Sequence, residues 1–418
     1  MNWSDCESRI NSIEFYDKTR KINIYISILI IGIGLIGNGL AVFVFAQKKF
    51  RLHSSSIYLL CLCFSDGIFL LMHFFEDTLR TYIDVYLNDQ TRSIGIECLQ
   101  FKELSLNNHT NNNSLLRVIN ITDRFDFSCR FVNYLRYFLR FISAYVILAF
   151  TIQRAFAIFF PFFQTKFESN KNSWFVVTII TILGLLINIW VPFLFNPIKD
   201  QNDPSVTYCD IKKEYSKAYF FLTIFYIVLT MFIPILLIFI CNILIIKYIV
   251  KAGKNREKMA NLKIIQRKNS TNQQQQLGDK KTLVSRFELS SGQQRSKTST
   301  TSSFKAINQS IKYKPQNLSP KSESQRITKM LLLMSFSYAI LNLPYFISWC
   351  LFFYQMALRK NYDIVLKYNL FSAINLCELF YILNYGVHFF IYCASGRKFR
   401  MQLKHSLKMR KVDRNYFY

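Results

Sequence analysis

Charged residues stand inside the apolar runs of this chain, and they are what its chemistry has to account for. The stretch Cys129–Phe162, CRFVNYLRYFLRFISAYVILAFTIQRAFAIFFPF, carries Arg136, Arg140 and Arg154. Its apolar middle is long enough to cross a bilayer, which takes about 20 residues. A mid-membrane arginine costs about 2.5–3.5 kcal/mol on insertion scales, so a lone spanning helix would not hold these residues without neighbours to partner them. At 1.5 Å per residue, Cys129 to Arg154 is a rise of roughly 37 Å, which puts a cysteine at one membrane face and an arginine at the other. The stretch therefore predicts the central helix of a bundle. Arg136 and Arg140 lie one turn apart and share a face. Asp66 sits in the middle of a second apolar run, Glu76 and Asp77 near its end, and Glu378 in the last such run. Cysteines, histidines and carboxylates do not cluster at metal-ligand or nucleophile–base spacing. Cys61 and Cys63 read as core thiols. The sequence thus points to no enzyme chemistry.

The elements that must position these residues are seven apolar spans, at about 22–46, 56–79, 131–160, 173–195, 218–250, 327–354 and 366–393. The predicted fold is an all-α membrane protein, a seven-helix bundle followed by a short amphipathic eighth helix within 394–418. Of the 418 residues, 51% are hydrophobic and 17% aromatic, and the net charge is +27. That charge sits between and after the apolar runs, which sets a nucleic-acid-binding domain aside. Residues 1–21 are polar and lack the apolar core of a signal peptide. The GIGLIG stretch (Gly32, Gly34, Gly37) matches a dinucleotide fingerprint only as a string. No strand precedes it and it lies inside an apolar helix, so close helix packing by small residues is the better reading. A polar insert, 80–128, follows the second span. The segment 251–325 carries sixteen Lys/Arg against four acids, with QQQQ and SKTSTTSS tracts, and its composition predicts a disordered loop.

Glycosylation sequons at Asn2, Asn108, Asn112 and Asn120 fall on one side of seven spans, and the basic segments fall on the other. The positive-inside rule then makes the tail cytoplasmic and the N-terminus extracellular, with a plasma-membrane location expected. The serine/threonine run Ser296–Ser303 and the RKNS ending at Ser270 are expected substrates for kinases, and through added phosphate charge a recruiting point for an arrestin.

In order along these spans come Gly37-Asn38, LCFSD ending at Asp66, QRAFAIFFPF from Gln153 to Phe162, Pro234, Pro344, and NYGVHFFIYCASGRKFR from Asn384 to Arg400. This series resembles the rhodopsin-like family of G-protein-coupled receptors, and the NFxxY-like form of the last motif is similar to that of invertebrate peptide receptors of the FMRFamide type. The resemblance implies a receptor for an extracellular neuropeptide that signals through a heterotrimeric G protein. It implies a disulfide between Cys129 and Cys209; Cys6 and Cys98, the cysteines left in the outer polar segments, are then candidates for a second. Activation switches carry over to Asn38, Asp66, Ser143, Gln153, Arg154, Pro234, Asn342, Pro344, Asn384, His388 and Tyr392. G-protein contacts carry over to Arg154, Ile158, Pro161 and Phe162. A sodium ion is implied at Asp66, Ser143 and Asn384, with the His388 imidazolium as its alternative and no other cofactor expected. Gln153 stands where the family has an acid, Asn342 where it has tryptophan, Asn242 where a tyrosine is common, and His388-Phe389 where Asn-Pro is usual.

An aminergic receptor would carry an aspartate at Arg136, and an opsin a lysine at Ile382. What remains in the outer half is Glu76, Asp77, Arg136, Arg140, Tyr345, Glu378 and Tyr381. One expectation pairs Arg136 with Glu378 and leaves Glu76 or Asp77 for a basic peptide. The other has both arginines paired with these acids merely to hold helices together. Two further readings stay open: a decoy or scaffold receptor that does not couple, and a transporter or channel, for which the chain offers neither internal repeat nor discontinuous helix pair.

Overall fold

In the computed structural model of the protein, residues 3–51, 53–87, 123, 125–160, 169–199, 207–288, 320–355 and 363–414 are described. Seven helices are long and apolar enough to cross a membrane: Asp5–Phe45, Ser54–Tyr86, Asp126–Phe159, Asn170–Leu194, Ser216–Met259, Thr328–Phe353 and Ile364–Ser395. The chain divides into two compact units, Met1–Ile243 with Ser324–Tyr418, and Leu244–Glu323.

The first helix runs Trp3–Phe45, so the segment expected as a separate polar N-terminus is its opening turns. No glycine or proline interrupts residues 3–31. The pairs Glu14–Lys18 at 2.7 Å and Asp17–Lys21 at 2.6 Å support it at i,i+4 spacing. Tyr16 packs against Tyr368 and Phe371 at ring distances of 5.4 and 6.0 Å, which docks these turns on the start of the seventh span. Further along, a Cβ on Gly34 would meet the Gly386 backbone at 3.1 Å, and one on Gly37 would meet Phe389 at 2.9 Å. Small residues thus let the first and seventh spans approach closely, as the GIGLIG stretch predicts, although Gly32 has nothing near it.

The second span outlasts its expected end at 79. Helix Ser54–His73 continues through a π turn, Phe74–Thr78, one α turn, Leu79–Tyr82, and a second π turn, Ile83–Leu87. The fourth span starts on a serine cap, Ser169 Oγ accepting from Asn172 N at 3.3 Å. It leads into an antiparallel hairpin, Phe195–Lys199 with Thr207–Ile211. Cys129 and Cys209 form the implied disulfide, tying the third span to this hairpin. The other implied pair involves Cys98, which lies outside the described residues. So do the four sequon asparagines and most of the insert.

The fifth span passes through a π turn, Val228–Phe232, just before Pro234 and continues as helix Ile233–Glu288. The expectation of disorder from 251 onward therefore fails as far as 288, and again from Pro320, where helix Pro320–Phe353 begins. Lys, Gln, Glu, Leu and Met are good helix formers, and no proline falls between 235 and 314. Ser296–Ser303 lies outside the described residues. The eighth helix is present as Arg397–Arg414. Its Phe399 is buried against Phe45, Phe389 and Tyr392, and Arg400 donates to the carbonyls of Cys393 and Ala394 at 2.6 and 2.9 Å.

Among the described residues two apolar layers fill the bundle, and a smaller cluster of Cys129, Val191, Phe195 and Cys209 surrounds the disulfide. One, around Tyr58, Leu62, Ile147, Phe150 and Tyr392, surrounds the Arg154 end. The other, around Phe69, Leu139, Tyr345, Tyr381 and Tyr385, lies toward the disulfide end. Leucines and phenylalanines such as Leu29, Phe175, Leu186 and Phe221 face outward, as helices in hydrocarbon require.

Candidate functional site

Between the two layers lies a fully buried polar hub. Asp66 and His388 both have side chains at 0% exposure, with His388 Nδ1 2.7 Å from Asp66 Oδ2. Ser143 Oγ donates to Asp66 Oδ1 at 2.8 Å. Asn38 Nδ2 donates instead to the Tyr385 carbonyl at 2.8 Å, stitching the first span to the seventh. The Asn384 amide is buried and neither of its atoms is hydrogen-bonded, so it does not reach the carboxylate. A hard cation needs several oxygen ligands around it. Here an imidazole nitrogen occupies the second carboxylate oxygen and the third expected donor is elsewhere. The set Asp66, Ser143, Asn384 does not fit sodium, and His388 stands where the cation would.

Toward the disulfide end, charges from the second, third and seventh spans meet. Arg136 pairs with Asp77, not with Glu378 as expected. His73 Nδ1 also lies 2.7 Å from Asp77 Oδ2, and its Nε2 is 3.8 Å from Glu378. Glu378 accepts from Asn23 Nδ2 at 3.1 Å. Glu76 is buried and pairs with Arg80 at 2.8 Å. Glu76 and Arg80 are an i,i+4 pair on the second span, whereas Asp77, in the π turn Phe74–Thr78, meets Arg136 of the third span. Tyr345 stacks on Tyr381 with ring centroids 4.6 Å apart, and the Tyr381 and Tyr385 hydroxyls are 3.0 Å apart. The guanidinium of Arg140 faces the rings of Phe69 and Tyr381, each at 5.5 Å, and of Tyr137 at 5.9 Å.

Ligand-capable atoms of His73, Asp77 and Glu378 all lie within 4.8 Å of one another. Sequence spacing showed no such cluster because Glu378 joins from another helix, although His73 four residues before Asp77 was a legible i,i+4 pair. The donor types suit a transition metal, but Asp77 already neutralises Arg136, so the group reads as an ion-pair hub. Asn23, His73, Arg80 and Asp123 are site residues that the sequence reasoning missed.

Asp123 closes this end. Its carboxylate accepts from Cys209 N at 2.9 Å and from Arg80, and its carbonyl accepts from Thr207 Oγ1 at 3.2 Å. Burial raises the Asp123 pKa above its ordinary value, against the opposing pull of Arg80 and the Cys209 N–H. The folded state then holds a proton more readily than the unfolded chain does. Stability contributed here falls as pH rises from about 3.9 through the raised folded value. Thermal unfolding of the wild type between pH 4 and 6 is expected to show this downward slope, and Asp123→Asn to flatten it. An unchanged slope in the variant would mean that another group sets it.

At the opposite end, Arg154 is buried over the Phe150 ring at 5.5 Å and donates to Ser55 Oγ of the second span. Gln153 is buried and its Nε2 lies 3.5 Å from Ser173 Oγ, on the fourth span. Ser55 thus takes a place the sequence would give to an adjacent acid. Tyr392 is buried, accepting from Cys63 Sγ at 3.6 Å. Asn342 Nδ2 donates to the Tyr338 carbonyl at 2.7 Å within its own helix, two residues before Pro344, through which that helix continues. Asn242 is buried at the fifth span. Ile158 is half-buried at the end of the third span, while Pro161 and Phe162 lie outside the described residues.

The second, third and seventh spans meet both in the Asp66 hub and in the outer charged group. No curated protein matches the chain. The family model described as 7 transmembrane receptor (rhodopsin family) matches residues 116–395, well over half of its length. With its seven spans and the Cys129–Cys209 bridge, the chain belongs to the rhodopsin family of seven-transmembrane receptors.

Proposed function

We propose that the chain is a plasma-membrane receptor for an extracellular neuropeptide, similar to receptors of the FMRFamide type, and that it signals through a heterotrimeric G protein. The disulfide end faces outward and the Arg154 end faces the cytoplasm. The observation that carries this reading is the charged ring in the outer half. Asp77 is 32% exposed, Glu378 18% and Arg136 11%, inside a bundle whose outward face is apolar. Lipid does not solvate such groups, so they border an interior space open to a polar ligand. Ligand shifts the population toward the state in which the sixth helix, hinged at Pro344, has moved away from Arg154. Pro161 and Phe162 with Ile158 and Arg154 are the proposed G-protein contacts, and the long loop is the proposed site for kinases and an arrestin.

A non-coupling decoy is the second reading, favoured by the engagement of Arg154 by Ser55 and by Asn342 bonding to its own helix. The two separate by experiment. Cells expressing the chain are screened with neuropeptides, amidated and with free C-termini, and membranes are assayed for ligand-dependent nucleotide exchange on G proteins. Exchange raised at least tenfold by one peptide supports coupling. Saturable binding without exchange favours the decoy.

A further inference from the structure

We propose that the bundle interior beside Arg140 is a carboxylate-binding subsite, so that the ligand is anchored by an acid: a free C-terminal carboxylate or an acidic side chain. The inference rests on the reading of the chain as a ligand receptor and names the chemistry of what it takes.

The acids of the outer half are already engaged. Glu76 holds Arg80, Asp77 holds Arg136 and His73, and Glu378 accepts from Asn23. A basic peptide would have to break one of these pairs. Arg140 is the reverse case. Among the described residues no carboxylate forms an ion pair with it, and its buried Nε donates no hydrogen bond. Its surroundings are aromatic, with the rings of Phe69, Tyr137 and Tyr381 in contact; Asp77 acts on its charge only at a distance and is itself paired with Arg136. Ring faces attract the cation but do not accept the in-plane N–H donors of a guanidinium, which carries five. Arg140 is half-buried, not sealed, as is Arg136 one turn away on the same face.

The fork of two parallel N–H groups matches a carboxylate's two oxygens. One unpaired guanidinium balances one negative charge. A phosphate dianion would call for a second cation, and Arg136 is committed to Asp77. The Tyr381 and Tyr385 hydroxyls are hydrogen-bonded to each other at 3.0 Å, which leaves one O–H of the pair as a further donor. The aromatic walls suit an acid borne on or beside an aromatic residue.

The test uses purified full-length receptor in detergent at constant pH and ionic strength. Thermal unfolding is followed with about 10 mM of three probes: N-acetyl-phenylalanine, its carboxamide, and N-acetyl-aspartyl-phenylalaninamide. The two acids are expected to raise Tm by about 2–4 °C and the carboxamide to leave it unmoved. A shift with the first acid alone assigns the site to a C-terminal carboxylate. A shift with the aspartyl probe alone assigns it to an acidic side chain. Arg140→Gln is expected to abolish the shift and Arg140→Lys to keep part of it. If Arg140→Gln does not fold, the difference between acid and carboxamide on the wild type decides, with the lysine variant as its check. Equal shifts for acid and carboxamide, no shift for any probe, or a full shift in Arg140→Gln overturns the proposal. The assay contains no G protein, so a receptor that binds acids without driving nucleotide exchange refutes coupling and leaves this subsite standing.

Discussion

Replacing His388 by alanine is expected to lower the unfolding temperature of the purified protein by on the order of 10 °C. The variant leaves the Asp66 carboxylate, fully buried, with Ser143 as its remaining partner. A buried carboxyl group that loses a hydrogen-bond partner costs about 1–3 kcal/mol, more when charged, and a chain with this much packed helix loses a few degrees per kcal/mol. His388→Gln, which can still offer an N–H to Asp66, should recover part of the loss. Because the hub carries its own nitrogen in place of a cation, wild-type unfolding should be the same in sodium chloride and choline chloride. A loss under about 2 °C for the alanine variant would mean that Asp66 does not depend on His388.

The second large effect concerns Arg136. In a double-mutant cycle, Arg136→Ala with Asp77→Ala is expected to show a coupling of about 1–3 kcal/mol. The same cycle with Glu378→Ala should show less than about 0.5 kcal/mol, since Arg136 forms its ion pair with Asp77 and Glu378 is held by Asn23. Asp77 is partly exposed, which keeps the expected value below that of a sealed pair. Thermal unfolding of the four proteins in each cycle measures both. The larger coupling appearing with Glu378 would reinstate one of the two pairings the sequence left open and refute the Arg136–Asp77 pair.

How far the sequence reached depended on whether a feature was local. The central helix from Asp126 to Phe159, with arginines at both depths and Cys129 at its opening, was legible because span length and helical rise are properties of one segment. The hub was half legible: Asp66, Ser143 and His388 meet as their positions implied, while Asn384 does not join them. That the first helix begins as early as Trp3 was not legible, because its opening turns are polar in sequence and dock through Tyr16 on residues more than 350 positions away. Composition likewise misread 251–288, where charge suggested a disordered loop and helix-forming residues prevailed.

By itself the sequence determined the seven spans, the eighth helix and the list of charges that the membrane interior must accommodate. Each of these follows from hydrophobic length and helical period, which a single segment carries. Only the tertiary structure decided which acid meets which arginine. Pairing depends on the azimuth of a side chain about its helix, and one inserted residue in the π turn Phe74–Thr78 turns that azimuth by about 100°. Packing put Asp77 on Arg136 and brought Glu378 to the His73–Asp77 pair, and among the described residues it left Arg140 beside tyrosines with no ion-paired acid.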